Sequence, residues 1–327
     1  MKRRDFIKVI AVSTAMWPHI APAQTPAVPV IGYLGTGSPE SDAFRLAAVR
    51  QSLIEAGYVE GRNVAFEYRW AENRYELLPV LAAELVSRKV AVIVALGGNT
   101  AAVAAKSATA TIPIVFTIGT DPVKSGLVAS LNRPGGNITG VSFLINALIA
   151  KQFEVLHEAV PKTALIGVLV NPTNANAERD TENVLAAAEL VGQKLAVVQA
   201  HTDSELETAF ATLVQQRAGA LVICSDPFFT NNRDKLVELA ARQKVPAIYP
   251  LREFAATGGL MSYGTSLTEA YSIVGRYVGR ILKGEKPTDL PVQQSTKVEL
   301  IINLKTAKAL GLIVPLSLLG RADEIIE

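Results

Sequence analysis

The stretch "FTIGTDPVKSGLV", residues 116–128, joins the end of an apolar run to Gly-Thr-Asp-Pro and then to a helical pattern. Because the residues before it are also apolar and mostly β-branched, the pattern predicts a buried strand that ends in a polar turn. A carboxylate at this place has two explanations. Asp121 is either a catalytic group, or part of one wall of a ligand cradle beside a joint between two lobes.

The first half of the chain alternates short apolar runs with amphipathic stretches of helix length, a pattern typical of βαβ units and a parallel sheet. Helical patterns cover residues 40–57, 75–88 and 100–108. Nearly continuous Val and Ile in the later runs indicate strands that are buried on both faces. The predicted strands of this half are "VPVIGYLG", "NVAFEYRW", "VAVIVALG" and "IPIVFTIG".

The pattern starts again after "SLNRPGGN", residues 130–137, a loop rich in Pro, Gly and Asn. A helix is predicted at 146–159, and further helices separate the later strands. Since both halves show the same order of elements, we expect an α/β fold with two doubly wound parallel-sheet lobes and a hinge. The predicted strands of the second half are "ITGVSF", "ALIGVLVN", "KLAVVQA", "GALVICSD" and "VPAIYP".

Residues 1–23 have the features of a cleaved signal peptide: a basic start, a short apolar stretch and the small residues Ala-Pro-Ala before the expected cleavage after Ala23. The Arg3-Arg4 pair resembles a twin-arginine (Tat) signal, but Lys2 departs from that pattern, so Sec export stays open. Cleavage would leave the protein soluble in the periplasm.

Charge and cysteine content narrow the possible partners. The 327-residue chain has a formal charge of +2, and because residues 1–23 contain four basic residues and one acidic residue, the remainder is close to neutral. No basic block favours a nucleic-acid partner. The single cysteine, Cys224, excludes an intramolecular disulfide and does not follow the leader, so we expect no lipid anchor there.

Signatures of catalytic chemistry are missing, so we expect no cofactor, no metal and no enzymatic activity. His157 and His201 have no spacing typical of a metal site, and no G-x-S-x-G elbow occurs. The "GTGSPE" turn begins like a dinucleotide fingerprint but has Glu40 where a small residue is needed. Asp121 and Asp226 could form an acid–base pair, although Asp-Pro after a strand is common turn chemistry.

Polar residues follow the predicted strands, and ligands of open parallel sheets bind at these carboxyl ends. The same residue types are preferred helix caps, so each has a structural alternative. Five aromatic residues are candidates for stacking on a ligand, with core packing as their alternative: Tyr33, Phe228, Phe229, Tyr249 and Tyr263. For Tyr33 and Phe229 we favour core packing. The candidate ligand-binding residues are Thr36, Ser38, Gly98, Asn99, Thr120, Asp121, Asn171, Ser225, Asp226, Phe228, Tyr249 and Tyr263.

The segment "DPVKSGLVASLNRPGGNITGVSF", residues 121–143, resembles the solute-binding proteins of ABC transporters related to the tryptophan and tyrosine uptake proteins, which have the type I periplasmic-binding fold. Lys124-Ser125 departs from the usual small residues. The resemblance implies a monomeric, non-enzymatic receptor that passes a small solute to permease subunits. Further similar stretches are "EGRNVAFEYRWAENRYELLPVLAAELV", "LVQQRAGALVICSDPFF", "GGLMSYG", "VGRILKGEKPTDLPVQQSTKVELIINLKTAKALGL" and "RADEIIE".

Type I folds cross between lobes three times. The resemblance implies that residues 123–137 lead the chain to the first crossing, and that the other two lie near 259–264 and near 287–292. The expected N-terminal lobe is therefore 28–140 plus 266–287, and the C-terminal lobe is 141–265 plus 288–320. For an amino-acid ligand, hydroxyl and backbone N–H groups near Ser38, Gly98, Asn99 and Thr120 suit the carboxylate.

For the ammonium group of such a ligand, Asp121 or Asp226 is suitable, and we favour Asp121 because it adjoins the first crossing. Two other functions stay open. The protein could be a periplasmic sensor that presents its ligand to a receptor, or a periplasmic enzyme that acts on a small acid at the same cleft.

Overall fold

The computed structural model describes residues 28–143 and 148–327, so the predicted signal peptide at 1–23 lies outside the described residues. The strands within these ranges form two sheets. They are β1 (Val30–Gly35), β2 (Ala65–Trp70), β3 (Val92–Leu96), β4 (Ile114–Ile118), β5 (Ile138–Phe143), β6 (Leu165–Val170), β7 (Lys194–Gln199), β8 (Ala220–Ile223), β9 (Ala247–Tyr249), β10 (Met261–Thr265), β11 (Gln293–Ser295), β12 (Val298–Asn303) and β13 (Glu324–Ile326).

The helices of the described residues separate most of these strands, and none of them is long and apolar enough to cross a membrane. Short 3₁₀ helices lie at Tyr75–Leu77 and Pro287–Asp289. The α-helices are α1 (Ala43–Glu55), α2 (Leu78–Ser87), α3 (Asn99–Ala108), α4 (Ile149–Ala159), α5 (Ala177–Leu190), α6 (Asp203–Gln215), α7 (Pro227–Asn231), α8 (Arg233–Arg242), α9 (Arg252–Ala256), α10 (Leu267–Leu282), α11 (Leu304–Ala309) and α12 (Leu316–Leu319).

The first sheet has the order β11-β5-β4-β3-β1-β2, and its strands pair in parallel. Every residue of β3 and β4 is buried, as their Val- and Ile-rich runs predict. The strand order reverses between β1 and β3, so the loops that follow these two strands lead to opposite faces of the sheet and leave a crevice at their carboxyl ends.

The second sheet has the order β13-β12-β10-β9-β8-β6-β7, with β10 and β12 antiparallel and the other neighbours parallel. Its order reverses between β6 and β8, which creates the same kind of crevice. The predicted α/β fold with two parallel-sheet lobes is therefore confirmed. We call the first sheet with α1–α3 and α10 the first lobe, and the second sheet with the remaining helices the second lobe.

Helix α10 follows a strand of the second sheet but packs along α1 of the first lobe. Its buried residues recur every three or four positions, as expected for an amphipathic helix. The two helices approach closely because Gly275 has no side chain: a Cβ there would lie 2.5 Å from the carbonyl oxygen of Val49.

The expected lobe boundary at 140/141 differs from the structure, since it falls inside β5. Residues 138–142 pair with β4 in the first sheet, and β11 pairs with β5 on its other side. Both strands therefore belong to the first lobe, including parts of 141–265 and 288–320 that were expected in the second. The apparent restart after residue 137 is a loop between two neighbouring strands of one sheet.

The positions at which the chain crosses between the lobes also differ from the expected ones. The chain leaves the first sheet after Phe143, returns at Ser266 between β10 and α10, and crosses again between Ser295 and Val298. The first crossing was expected directly after 123–137, which is too early because β5 still pairs in the first sheet. The third lies a few residues after the expected 287–292, because β11 also pairs in that sheet. The second lies within a few residues of the expected position.

Candidate functional site

A cavity of about 150 Å³ lies where the carboxyl ends of the two sheets face each other. Both lobes contribute to its walls, together with the first turns of α10. The residues lining it are Arg45, Tyr75, Gly97, Gly98, Asn99, Thr100, Thr117, Gly119, Thr120, Phe143, Thr173, Asn174, Ala175, Asn176, Ser225, Asp226, Pro227, Thr230, Leu251, Leu267 and Tyr271.

The first-lobe wall contains the N-terminus of α3. Gly97 and Gly98 precede this helix with φ of 103° and 99°, in the left-handed region that favours glycine. Asn99 and Thr100 start the helix and line the cavity. The N–H groups of a first helical turn have no intrahelical acceptors and carry the positive end of the helix dipole. This wall is therefore suited to an anionic group.

Three polar atoms at this wall are buried and have no hydrogen-bond partner among the described residues: Tyr75 Oη, Asn99 Oδ1 and Thr120 Oγ1. Each residue lines the cavity. A buried polar group without a partner costs about 1–3 kcal/mol, so three around one cavity favour a polar ligand or ordered water between them. Burial, and secondarily the Asp226 carboxylate, raises the pKa of Tyr75 well above its ordinary value, so its hydroxyl remains a donor.

The second-lobe wall contains Asp226, which is only 4% exposed and caps the N-terminus of α7. Its Oδ1 accepts hydrogen bonds from the backbone N–H groups of Phe228 (2.8 Å) and Phe229 (3.4 Å) and from Asn171 Nδ2 (3.0 Å). Its Oδ2 accepts one from Asn174 Nδ2 at 2.7 Å.

Burial raises the pKa of Asp226, and the hydrogen bonds from Asn171 and Asn174 oppose that rise. No ion pair within residues 28–143 and 148–327 involves this carboxylate. Asp226 is therefore a buried acid that is held in place by neutral donors and has no cationic partner among the residues that the structure describes.

Arg45 lies at the cavity with 2% of its surface exposed, and its charge is paired inside the first lobe. Its Nη1 donates to Asp42 Oδ1, and its Nε donates to the hydroxyl of Tyr271 at 3.2 Å. The hydroxyl of Tyr33 donates to the other oxygen of Asp42 at 2.8 Å. One contact leaves the lobe: Nη1 also donates to Asn231 Oδ1 at 3.0 Å.

Of the predicted site residues, the structure brings five to the cavity: Gly98, Asn99, Thr120, Ser225 and Asp226. Asn171 does not line the cavity, but its Nδ2 donates a hydrogen bond to Oδ1 of Asp226. Thr36 is fully buried and its hydroxyl donates to the carbonyl of Gly97 at 3.3 Å, so it holds the glycine turn. Ser38 bonds to Glu40 and to Ser41 in the loop before α1.

Asp121 lies outside the cavity lining, in contrast to our expectation that it pairs with a ligand ammonium group. Its side chain is exposed, and Oδ1 accepts hydrogen bonds from the backbone N–H groups of Val123 (2.9 Å) and Lys124 (3.1 Å). This is the turn geometry that Asp residues favour after a strand. Within the 116–128 segment, Thr120 thus belongs to the wall of the cavity, whereas Asp121 does not.

The predicted aromatic residues also lie elsewhere. Phe228 and Tyr249 belong to a buried core cluster, where Tyr249 stacks on Phe254 with ring centroids 4.9 Å apart. Tyr263 packs against the core of the second lobe.

Sequence reasoning missed Arg45, Tyr75 and Tyr271. They lie on helices or on a 3₁₀ turn, whereas the predicted site residues follow strands. Only Tyr75 had a signal, because it lies within the stretch "EGRNVAFEYRWAENRYELLPVLAAELV".

A two-lobed α/β fold with a cavity between its lobes is the arrangement found in solute-binding proteins. Residues 40–326 match the family described as ABC transporter substrate binding protein, and the chain belongs to that family. A tyrosine-binding protein from Clostridioides difficile (strain R20291) is 29% identical over 262 residues, which cover 80% of this chain and 75% of that protein.

Two solved structures show how the lobes are arranged. An ABC domain from Streptococcus pneumonia in complex with L-Trp has 26% identity and a TM-score of 0.80, covering 91% of this chain and 99% of that one. The ligand-free, open structure of CD0873, an adhesive substrate-binding protein from Clostridium difficile, has the same identity and coverage but a TM-score of 0.64. Over the whole chain, the structure described here is thus more similar to the tryptophan complex than to the ligand-free, open structure.

Proposed function

We propose that this ABC transporter substrate-binding protein captures an amino acid in the cavity between its lobes. It works in the periplasm without transforming the ligand and delivers it to permease subunits in the inner membrane. The observation that carries the proposal is that a buried carboxylate, Asp226, lies opposite a helix N-terminus and two hydroxyl donors, and that neither the carboxylate has a cationic partner nor the hydroxyls a hydrogen-bond partner within the described part of the chain.

Asp226 supplies the subsite for the ammonium group. A buried carboxylate is destabilising unless a cation or several donors compensate it, and here the neutral donors compensate it only in part. A ligand ammonium group that reaches this wall would be the missing cation. It would also favour the charged form of Asp226, against the effect of burial on its pKa.

The opposite wall supplies the subsite for the carboxylate. The N–H groups at the start of α3 and the hydroxyls of Tyr75 and Thr120 are donors that the described residues leave available. Hydrogen bonds between such donors and a carboxylate are charge-assisted and are about twice as strong as bonds between neutral groups. The two charged ends of an amino acid would thus bind to opposite lobes, which links binding to closure.

The remaining lining accommodates the side chain of the ligand. Phe143, Leu251, Leu267 and Tyr271 give this part of the cavity an apolar and aromatic surface. The relative named as a tyrosine-binding protein and the structure solved in complex with L-Trp support an aromatic amino acid as the first candidate.

Closure follows from these contacts. A ligand stabilises the closed arrangement only through contacts that the open arrangement lacks, and a zwitterion that bridges two lobes makes such contacts at both ends. The protein would therefore release its ligand when the lobes separate at the permease.

The test is a thermal-shift screen of the purified protein against the common L-amino acids, followed by calorimetric titration of the compounds that stabilise it. A ligand at about 100 times its dissociation constant should add roughly 2.7 kcal/mol to the free energy of unfolding. Analogues that lack the amino group or the carboxylate should stabilise much less. Equal stabilisation by L-tryptophan, tryptamine and indole-3-propionate would contradict the proposal, and so would chemical conversion of the bound compound.

A further inference from the structure

Asn231 connects the lobes with both ends of its side-chain amide. Its Nδ2 donates to Asn73 Oδ1 at 2.7 Å, and its Oδ1 accepts from Arg45 Nη1 at 3.0 Å. Both partners belong to the first lobe, whereas Asn231 belongs to the second. An asparagine amide has donors at one end and an acceptor at the other, so both bonds have the correct polarity at once. We call these two hydrogen bonds the Asn231 bridge.

The bridge is joined to the cavity through α7. This helix has five residues, with Asp226 as its N-cap and Asn231 as its last residue. Between them, Thr230 lines the cavity, and its hydroxyl donates to the carbonyl of Asp226 at 2.9 Å. One short helix thus carries a cavity carboxylate at one end and an interlobe contact at the other.

The first-lobe partner of the bridge is held in an unusual backbone conformation. Asn73 has φ of 64° and Glu72 has φ of 51°, both in the left-handed region. Two hydrogen bonds fix them: the N–H of Glu72 donates to Gly37 O at 2.9 Å, and that of Asn73 donates to Thr36 O at 2.8 Å. Strain of this kind persists only where the surroundings enforce it and is enriched at functional sites.

The side-chain amide of Asn231 also packs closely against the loop that contains Gly37. A Cβ on Gly37 would collide with Oγ of Ser41 and would lie 2.9 Å from Oδ1 of Asn231, so a side chain there would displace both groups. Two residues after Asn73, Tyr75 contributes one of the unpartnered hydroxyls of the cavity. The bridge therefore connects two segments that each contribute a cavity residue.

We propose that Asn231 is a positioning residue for ligand capture: through its bridge to Asn73 and Arg45 it stabilises the closed arrangement and slows ligand release, without lining the cavity itself. The part that concerns ligand release rests on the proposed function, whereas the part that concerns closure does not. A second interlobe contact remains when the bridge is removed, since Arg233 donates to Ser41 O at 3.2 Å and lies over the ring of Phe44. Removal should therefore weaken closure and not abolish it.

The variants for the test are Asn231→Ala, Asn73→Ala and the double variant, with Asn232→Ala as the matched control. Asn232 is the next residue in the chain, and its side chain donates to Phe228 O at 3.0 Å inside the second lobe. The Asn232→Ala variant therefore also loses a hydrogen bond of a side-chain amide, without affecting the interlobe contact. Asn73→Ala removes one of the two bonds of the bridge from the other lobe, so the test stands if Asn231→Ala does not fold.

Small-angle X-ray scattering of each protein, without added solute and with saturating L-tryptophan, measures the average opening of the lobes. We expect Asn231→Ala and Asn73→Ala to be more open than the wild type in at least one of these states, and Asn232→Ala to match the wild type. Stopped-flow dissociation of L-tryptophan should be about fivefold to tenfold faster in Asn231→Ala. The double variant should equal Asn231→Ala, because the two residues share one bond.

Scattering of Asn231→Ala that is identical to that of the wild type in both states would overturn the proposal. Fully additive effects of the two single variants on dissociation would also overturn it, because they would show that the residues do not act as a pair. If L-tryptophan and the other amino acids fail to bind, the proposed ligand class fails, and scattering of the solute-free proteins still decides whether Asn231 holds the lobes together.

Discussion

Gly98 and Pro227 face each other across the cleft so closely that a Cβ on the glycine would lie 2.9 Å from Cγ of the proline. Gly98 belongs to the turn before α3, and Pro227 is the first residue of α7. The two cavity walls therefore meet where one of them has no side chain.

Gly98→Ala should prevent the lobes from closing fully. The substitution adds strain at φ of 99° and a collision with Pro227, so we expect at least tenfold weaker ligand binding and a stability loss of about 1–3 kcal/mol. Calorimetric titration and thermal unfolding measure the two effects.

Gly126→Ala is the matched control for this substitution. Gly126 also has a positive φ, 70°, but a Cβ there would have no neighbour within 4 Å. It should lower stability by about 1 kcal/mol and leave affinity unchanged. Wild-type affinity in Gly98→Ala would show that this contact does not limit closure.

Tyr75→Phe separates a ligand-binding role of the hydroxyl from a structural one. Because Tyr75 Oη has no partner among the described residues, its removal should leave the melting temperature of the solute-free protein unchanged or slightly higher. If the hydroxyl donates to the ligand carboxylate, affinity should fall about fivefold to twentyfold. A lower melting temperature with unchanged affinity would assign the hydroxyl to the fold.

Asp180 should make stability depend on pH. This residue of α5 is 3% exposed, its Oδ1 has no hydrogen-bond partner among the described residues, and burial raises its pKa to about 7. In the unfolded chain an aspartate has a pKa near 3.9, so the folded state binds the proton more tightly. Stability is therefore lost as the pH rises from about 4 to 7, because in this range the unfolded chain releases a proton that the folded protein retains.

Asp180→Asn removes this ionisation. We expect the variant to be more stable than the wild type by about 1–3 kcal/mol at pH 8, with a difference that shrinks towards pH 4. Denaturant unfolding at several pH values measures it. A difference that stays constant with pH would show that Asp180 does not ionise in this range.

The strands and the fold class were predictable because the apolar runs of β3, β4, β6 and β8 are long enough to indicate burial without any tertiary information. The boundary between the lobes was not predictable from the sequence, because β5 follows a loop rich in Pro and Gly that resembles a linker. Only its pairing with β4 shows that the first sheet continues.

The cavity was predictable where a strand end and a helix N-terminus coincide, as at Asn99 and Asp226. Asp121 shows the limit of this reasoning: it has the same Asp-Pro sequence context as Asp226, yet one side chain is exposed and the other is buried. Cavity residues on helices, such as Arg45, could not be predicted from the sequence, since their position depends on how α1 packs against α10.

The pairing of Asp226 with a ligand ammonium group is tested most directly by calorimetric titration of the wild type, Asp226→Asn and Asp121→Asn with L-tryptophan and with indole-3-propionate, which lacks the amino group. We expect Asp226→Asn to lose about 2–5 kcal/mol of binding free energy for L-tryptophan, because it leaves the ammonium group buried without a counter-charge. The same variant should lose little affinity for indole-3-propionate, and Asp121→Asn should match the wild type with both compounds. Equal losses for the two compounds in Asp226→Asn, or wild-type affinity for L-tryptophan, would contradict the account.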